Sequence, residues 1–366
     1  MLRPPRGRPA EPTADQPSAS QKLASRVVDE LGRPPAPDPA CIHEVDAGST
    51  GPEAPGGEGL RARYLGALMA WDINSGPGVT ALGLAAARSV ETGRPDRLIE
   101  DPFARALFEA AKAELPMRVD WPDPESPVSN AEALHLHGSR YIGVRTRFYD
   151  DALTAAADGG ARQGVLLGAG LDTRAFRLSF PAGFRLFELD QRGVLEFKDA
   201  VLGAQHAEPR CPRSAIAIDL RDDWAAELKA HAFESERPTA WVAEGLLPYL
   251  PPEAQSGLLN RIHELAAPGS TVALDRIAGD PTADDRLRAL SERSGLDMES
   301  LMASGEGEDL GAFLRTRGWE VEEEPTTTLA DRYGRDLSDP FAAAAAGSAS
   351  EPPWLETMFL SARLPA

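Results

Sequence analysis

Apolar and polar positions follow different periods in three successive parts of the chain. Residues 1–60 contain no Phe, Tyr or Trp and are rich in Pro and Gly. Such a segment buries too little apolar surface to offset the entropy lost on ordering, so we predict a mostly disordered tail. Residues 61–160 show a helical pattern. Helices are predicted over Thr80–Val90, from Asp101 onward and over Ala131–Ala157, with Thr80 and Asp101 as N-caps.

In residues 161–366, apolar runs of strand length alternate with helical patterns such as Pro252–Ala267. This alternation is typical of a mostly parallel sheet with helices on both faces. Strands are predicted over Gly164–Leu167, Arg185–Leu189, Ala215–Ile218, Thr239–Glu244, Ser270–Arg276, Trp319–Glu324 and Thr357–Arg363. We expect the last two to form a hairpin-like pair at the sheet edge. The predicted fold is therefore an α/β, Rossmann-like domain with a seven-stranded sheet.

The first predicted strand runs into a loop with two glycines, Gly168-Ala169-Gly170, and a helical pattern follows. Glycines at this spacing let the backbone pass close to a ligand at the carboxyl end of a strand. Asp190 ends the next strand, twenty residues after Gly170. An acid at that place can hydrogen-bond the two hydroxyls of a ribose. The pattern therefore predicts a site for an adenosine-containing cofactor.

The identity of that cofactor depends on the residue at the third glycine position of a dinucleotide fingerprint. That residue is Thr173, whereas NAD and FAD sites use a small residue there for close packing of helix on strand. S-adenosylmethionine has no pyrophosphate, so its loop does not have to bring a helix N-terminus onto one. We therefore favour S-adenosylmethionine. A nicotinamide-dependent oxidoreductase is the alternative, although the sequence has no Tyr-x-x-x-Lys motif.

Two further acids, Asp219 and Glu244, stand at the ends of the third and fourth predicted strands. Asp219 is expected to accept a hydrogen bond from an adenine amine, with the backbone amide of Leu220 beside the ring. Glu244 is expected to face the amino group or cationic centre of the ligand, since a carboxylate near a positive charge is favoured in a low-dielectric site. The alternative is that each acid caps the helix after its strand.

The composition limits the classes of molecule that the protein is expected to bind. The net charge of −19 argues against a sequence-independent nucleic-acid binder, which needs a basic surface to displace counterions. No apolar run approaches the roughly eighteen residues of a membrane span, and the first residues lack the apolar segment of a secretory signal. Two widely separated cysteines and six scattered histidines predict neither a disulfide framework nor a metal site. We therefore expect a cytoplasmic protein that binds neither nucleic acid nor a membrane.

Several segments together resemble the leucine carboxyl methyltransferase-like family, in particular its bacterial S-adenosylmethionine-dependent branch. The matching segments are Ala81–Arg88, Asp101–Ala104, Arg145–Asp151, Leu167–Arg174, Phe187–Asp190, Asp219–Asp222 and Ala243–Tyr249. The resemblance implies a class I methyltransferase fold with a helical lid before the first strand. It also implies that the cofactor contacts Gly168, Asp190, Asp219, Leu220 and Glu244, to which we add the neighbouring Ala169 and Gln191.

In this family an arginine just before the core grips the carboxylate of the cofactor. By position that residue is Arg145, with Arg147 as the second choice. A guanidinium suits this role because it binds a carboxylate bidentately and stays charged. Residues two apart on a helix do not share a face, so at most one of the two faces the site. The alternative for either arginine is a solvated helix face that pairs with Asp150 or Asp151.

The predicted reaction is O-methylation of a carboxylate or hydroxyl on a small molecule, such as a natural-product intermediate. The C-terminal carboxylate of a protein or peptide is a further alternative. A carboxylate acceptor needs no base, whereas a hydroxyl acceptor does, and His135 and His137 are the candidates. Arg147, Tyr141 and Tyr249 are expected to contact the acceptor, with core packing as the alternative for Tyr141.

Overall fold

The structure is a computed structural model that describes residues 73, 77–112, 115, 117–123, 128–277, 302–303, 308–337 and 356–365. The predicted tail over residues 1–60 lies outside the described residues. The division near residue 160 between a lid and a catalytic domain stays a prediction. Before the sheet, the described residues form helices α1 (Pro77–Thr92), α2 (Ala104–Ala110) and α3 (Asn130–Asp158).

The starts of two of these helices differ from the prediction. α1 begins three residues before Thr80, so Thr80 lies in its first turn and not at the N-cap. α2 begins at Ala104 and not directly after Asp101. The reason is that the Asp101 carboxylate accepts hydrogen bonds from Arg88 Nε over 2.9 Å and from the Phe103 amide over 3.1 Å. The acid therefore orders the turn before the helix instead of capping it.

The start of α3 agrees with the prediction to within one residue. Ser129 accepts a hydrogen bond from the Glu132 amide, and the Glu132 carboxylate accepts one from the Ser129 amide. This reciprocal capping box satisfies two main-chain donors that a helix start otherwise leaves without partners.

The sheet confirms the predicted α/β class. Its seven strands are β1 (Gln163–Leu167), β2 (Arg185–Asp190), β3 (Arg213–Ala217), β4 (Thr239–Ala243), β5 (Thr271–Ile277), β6 (Glu320–Pro325) and β7 (Thr357–Arg363). Their order is β3-β2-β1-β4-β5-β7-β6. Strands β1 to β5 are parallel, whereas β7 is antiparallel to both of its neighbours. The predicted strand bounds lie within two residues of the observed ones.

Helices cover both faces of this sheet. Within the described residues, the α-helices that follow β1 are α4 (Arg174–Arg177), α5 (Arg192–Ala204), α6 (Trp224–Ala230), α7 (Pro252–Leu265), α8 (Leu310–Arg315) and α9 (Thr326–Arg332). Alternate residues of a strand point to opposite faces. Leu166 accordingly joins the buried cluster that contains Tyr149 of α3, whereas Val165 joins the cluster that contains Leu259 of α7. With both faces covered, a ligand site is expected at the carboxyl ends of the parallel strands.

Candidate active site

A cavity of about 580 Å³ opens at the carboxyl ends of the parallel strands. This volume lies within the range of about 300–1,000 Å³ that is usual for small-molecule sites. All nine residues predicted to contact the cofactor line the cavity: Arg145, Gly168, Ala169, Gly170, Asp190, Gln191, Asp219, Leu220 and Glu244. Tyr249, one of the predicted acceptor contacts, lines it as well.

The glycine loop after β1 has a backbone that only glycine adopts without steric cost. Gly168 and Gly170 have φ angles of +66° and +48°, in the left-handed region. A Cβ on Gly168 would lie 3.1 Å from Cδ1 of Leu246, so a side chain there would require its neighbour to move. The Ala169 amide donates to the Leu189 carbonyl oxygen over 3.0 Å and ties the loop to β2. The loop thereby leaves space for a ligand above the tip of β1.

Asp190 ends β2, and main-chain donors hold its carboxylate at the cavity. Its Oδ2 accepts from the Gly170 amide and its Oδ1 from the Gln191 amide, each over 2.6 Å. Burial raises the pKa of Asp190, and the two amide hydrogen bonds work against this rise. Each carboxylate oxygen has a further lone pair. The group can therefore also accept hydrogen bonds from a ligand.

Asp219 follows β3 and is held by Arg221 and Gln191. The Arg221 amide and its Nε each donate to Oδ1 over 2.9 Å, and Gln191 Nε2 donates to Oδ2 over 3.0 Å. The hydrogen bonds from the Arg221 side chain are the main cause that lowers the pKa of Asp219 to about 2. The carboxylate therefore stays ionised at neutral pH, as an acceptor for an exocyclic amine requires.

Arg145 and Glu244 face each other across the cavity wall. Nε of Arg145 lies 3.2 Å from Oε1 of Glu244 and 3.9 Å from Oδ2 of Asp275. Burial works against the charge of Arg145, but Asp275 and Glu244 outweigh it and raise the pKa of the guanidinium. The cavity therefore holds a permanent cation and an acid next to each other, which suits the carboxylate and the ammonium of an amino acid.

Arg174 is a central residue of the site that the sequence reasoning missed. Its guanidinium is 2% exposed and lines the cavity. It donates to Asp150 of α3 over 2.7 Å, to Glu244 after β4 over 2.7 Å, and to Asp172 of the glycine loop. Arg177 binds the same Asp150 carboxylate through both of its Nη atoms. One arginine thus links three elements of the cavity wall.

The two histidines proposed as general bases lie away from the cavity. His135 Nε2 is 3.0 Å from the Arg118 carbonyl oxygen, and His137 Nε2 is 3.1 Å from that of Leu337. Neither is among the described residues that line the cavity. Burial lowers the pKa of His135 to about 4. Both sit on α3 at least eight residues before Arg145, which is about 12 Å or more along a helix axis. The structure therefore gives neither histidine a place beside a reacting atom.

Two of the residues predicted to contact the acceptor, Tyr141 and Arg147, do not line the described cavity. Tyr141 is buried in the core, where its ring lies 6.4 Å from that of Phe359, in line with the alternative of core packing. Arg147 is 44% exposed and donates to Asp151 over 2.8 Å. This is the solvated helix face considered as the alternative. Of the three residues, only Tyr249 is in the described cavity wall.

The described residues contain neither a metal-binding cluster nor a helix that could span a membrane. No group of three or more His, Cys, Asp or Glu side chains there is arranged to hold a metal ion. None of the helices in that part of the chain combines the length and apolar character needed to cross a bilayer.

The mostly parallel sheet, with an antiparallel β7 and with a glycine loop and three acids at its strand tips, has the architecture of a class I methyltransferase. A family model described as leucine carboxyl methyltransferase matches residues 81–263, and the chain belongs to this family. It is an enzyme that uses S-adenosylmethionine as methyl donor. Family membership thus decides against the nicotinamide alternative.

The chain is also similar to individual named proteins. A Saccharopolyspora erythraea protein that carries the name of an S-adenosyl-L-methionine-dependent methyltransferase is 46% identical over 275 residues, which is 74% of this chain and 92% of the relative. A Mycobacterium sp. (strain JLS) protein of the same name is 40% identical over 279 residues, or 72% and 91% of the two chains. Among solved structures, a methyltransferase-named protein from Thermobifida fusca YX has a TM-score of 0.45 at 18% identity and covers 76% of this chain and 94% of its own.

Proposed function

We propose that the enzyme methylates a carboxylate oxygen of a small-molecule acceptor. The observation that carries this proposal is the placement of His135 and His137, which are held on main-chain oxygens outside the cavity wall. A hydroxyl acceptor has to lose a proton to a base, whereas a carboxylate is already ionised at neutral pH. The family model, which describes a carboxyl methyltransferase, supports the same choice of acceptor.

Each part of the cofactor would meet a residue of suitable charge or hydrogen-bonding character in the cavity. Asp190 would accept hydrogen bonds from the two ribose hydroxyls, and Asp219 one from the adenine amine. Arg145 would hold the carboxylate of the amino-acid half, and Glu244 its ammonium. Gly168 and Gly170 have positive φ angles and no Cβ atoms, so the loop can pass close to the cofactor. When bound, S-adenosylmethionine supplies the methyl group that is transferred.

The chain's own contribution to the reaction is alignment and exclusion of water. When the acceptor is a carboxylate, no side chain of the cavity has to take up a proton, because the acceptor is already ionised at neutral pH. Tyr249 lines the cavity, and burial raises its pKa. Its phenol therefore stays protonated and can donate a hydrogen bond to the second oxygen of the acceptor.

Formation of S-adenosylhomocysteine with matched pairs of acceptors tests the proposal. Each pair consists of an aliphatic or aromatic carboxylic acid and the alcohol or phenol of the same skeleton. We expect turnover with the acids, and a rate that does not rise with pH once the acid is ionised. Methylation of the phenols but not of the acids would overturn it. A peptide acceptor is tested with a peptide that has a free C-terminal carboxylate. The same peptide with an amidated C-terminus is the control.

A further inference from the structure

Arg145 lies between two carboxylates that differ in exposure. Glu244 keeps 20% of its side chain exposed and lines the cavity, whereas Asp275 of β5 keeps 6% and is not part of the described cavity wall. Glu244 is the residue assigned to the ammonium of the cofactor. Asp275 is therefore the carboxylate that remains with Arg145 when Glu244 binds the ligand.

Asp275 also fixes the backbone on which the guanidinium lies. Its Oδ1 accepts a hydrogen bond from the Gly245 amide over 2.6 Å. Gly245 has a φ of +58°, and a Cβ there would lie 2.9 Å from Cζ of Arg145. The guanidinium thus packs directly on the glycine backbone. Asp275 therefore positions both the guanidinium of Arg145 and the Gly245 backbone on which the guanidinium packs.

Tyr149 orients Asp275 from the helix that carries Arg145. It lies four residues after Arg145 on α3, which places both side chains on one helix face. Tyr149 is fully buried, and its hydroxyl donates to Oδ1 of Asp275 over 2.5 Å. Because Oδ1 receives both the tyrosine and the Gly245 amide, Oδ2 is the oxygen that faces Arg145.

We infer that Asp275 and Tyr149 are positioning residues for Arg145, and that they set the affinity for the amino-acid half of the cofactor but not for its adenosine half. The inference rests on the proposed placement of the cofactor. In that placement the adenosine half binds Asp190 and Asp219 at the tips of β2 and β3, whereas Asp275 acts only through the guanidinium of Arg145, which it holds directly and by the Gly245 backbone beneath it.

The chain contains a matched control with the same three residue types outside the cavity. Arg147 donates to Oδ1 of Asp151 over 2.8 Å, and the Tyr333 hydroxyl donates to Oδ2 of Asp151 over 3.0 Å. None of these three residues lines the described cavity. Asp151→Asn and Tyr333→Phe therefore change the same chemical groups as Asp275→Asn and Tyr149→Phe, but with no expected effect on ligand affinity.

The experiment is calorimetric titration of the full chain with S-adenosylhomocysteine and with 5′-methylthioadenosine, which has the adenosine and the sulfur but no amino-acid carboxylate. Asp275→Asn is expected to weaken S-adenosylhomocysteine about tenfold or more, while methylthioadenosine changes less than about threefold. Tyr149→Phe is expected to show the same selectivity with a smaller loss, and it decides the question if Asp275→Asn does not fold. In an Arg145→Gln background, Asp275→Asn should cause no further loss.

The outcomes separate this inference from the proposed function. Wild-type protein that binds neither ligand overturns the proposed function, and the inference with it. If the wild type binds both ligands, equal losses for the two ligands in the variants, or no loss for either, overturn the inference alone. A further loss of S-adenosylhomocysteine affinity in the Arg145→Gln background also overturns it, because Asp275 would then act by another route.

Discussion

Replacement of Arg174 with methionine tests whether the buried ion pairs of the cavity wall hold the site together. The Arg174 side chain is 2% exposed and pairs with Asp150, Asp172 and Glu244. In the variant Asp150 keeps Arg177, and Glu244 keeps Arg145, so only Asp172 loses its ion pair. Removal of one partner of a buried pair costs about 3–5 kcal/mol of unfolding free energy. We therefore expect Arg174→Met to lower the free energy of unfolding by about 3–5 kcal/mol in total, because only one of its three carboxylate partners is left without an ion pair.

The cost depends on pH in a defined direction. Burial acts to raise the pKa of Asp172, but Arg174, with Lys198 and Arg177, outweighs it and lowers the pKa. A lowered pKa stabilises the folded protein above the ordinary carboxyl pKa of about 4, and this stabilisation is lost as the pH falls through the lowered value. Without Arg174, Asp172 takes up a proton more readily on acidification. The difference in stability between wild type and variant therefore shrinks at low pH.

Urea unfolding at about pH 7.5 and at about pH 4, where the ordinary carboxyl begins to take up its proton, measures this difference. Arg147→Met is the matched control, because its guanidinium is 44% exposed and pairs with Asp151. An exposed pair of this kind contributes about 0–1 kcal/mol. The reasoning is refuted if Arg174→Met costs no more than the control, or if the difference between wild type and Arg174→Met grows on acidification.

Three further changes test the cofactor half of the site. Asp190→Ala is expected to weaken S-adenosylhomocysteine by about 1–3 kcal/mol, because the ribose hydroxyls lose their acceptor; unchanged affinity in calorimetry contradicts the ribose assignment. Gly168→Ala forces a side chain into a φ of +66° and should lower the midpoint of thermal unfolding. Gly203→Ala, in helix α5 with open space around it, should not lower that midpoint. Arg221→Ala should raise the pKa of Asp219 from about 2 toward its ordinary value; an NMR titration that still gives about 2 contradicts the assigned cause.

The meeting of the glycine loop and the strand-end acids at one cavity could be predicted because its signals are local in the sequence. Gly168 and Asp190 each stand at the end of a short apolar run, and the strands that precede them are neighbours in the sheet. Parallel strands bring their carboxyl ends to one edge, so acids at successive strand ends meet without further information. The same argument placed Asp219 and Glu244 correctly at the cavity.

The network of buried arginines could not be predicted in this way, because its partners are far apart in the chain. Arg174 binds Asp150, 24 residues before it, and Glu244, 70 residues after it. The sequence alone does not distinguish an arginine that is buried and ion-paired from one that is exposed to solvent. The available signal was its position directly before Ala175-Phe176, in a stretch that the structure buries.

The candidates on α3 for the acceptor side of the site were hard to assign because they share one helix. His135, His137, Tyr141 and Arg147 all lie on α3, and only its packing decides which face meets the cavity. Arg145 faces the cavity, whereas Arg147, two residues later, points to solvent. Helical periodicity predicts that the two differ, but not which of them faces inward.

Strand β7 hydrogen-bonds to β5 on one side and to β6 on the other, although it follows both in the chain. During synthesis, β5 and β6 are therefore made before the strand that pairs with both of them. Their edges that face β7 keep unpaired backbone groups until residues 357–363 have been made. Bare edges favour association between nascent chains, and the exposed Glu320 and Glu322 of β6 oppose it by like-charge repulsion. Completion of the sheet therefore depends on the described strand that is synthesised last.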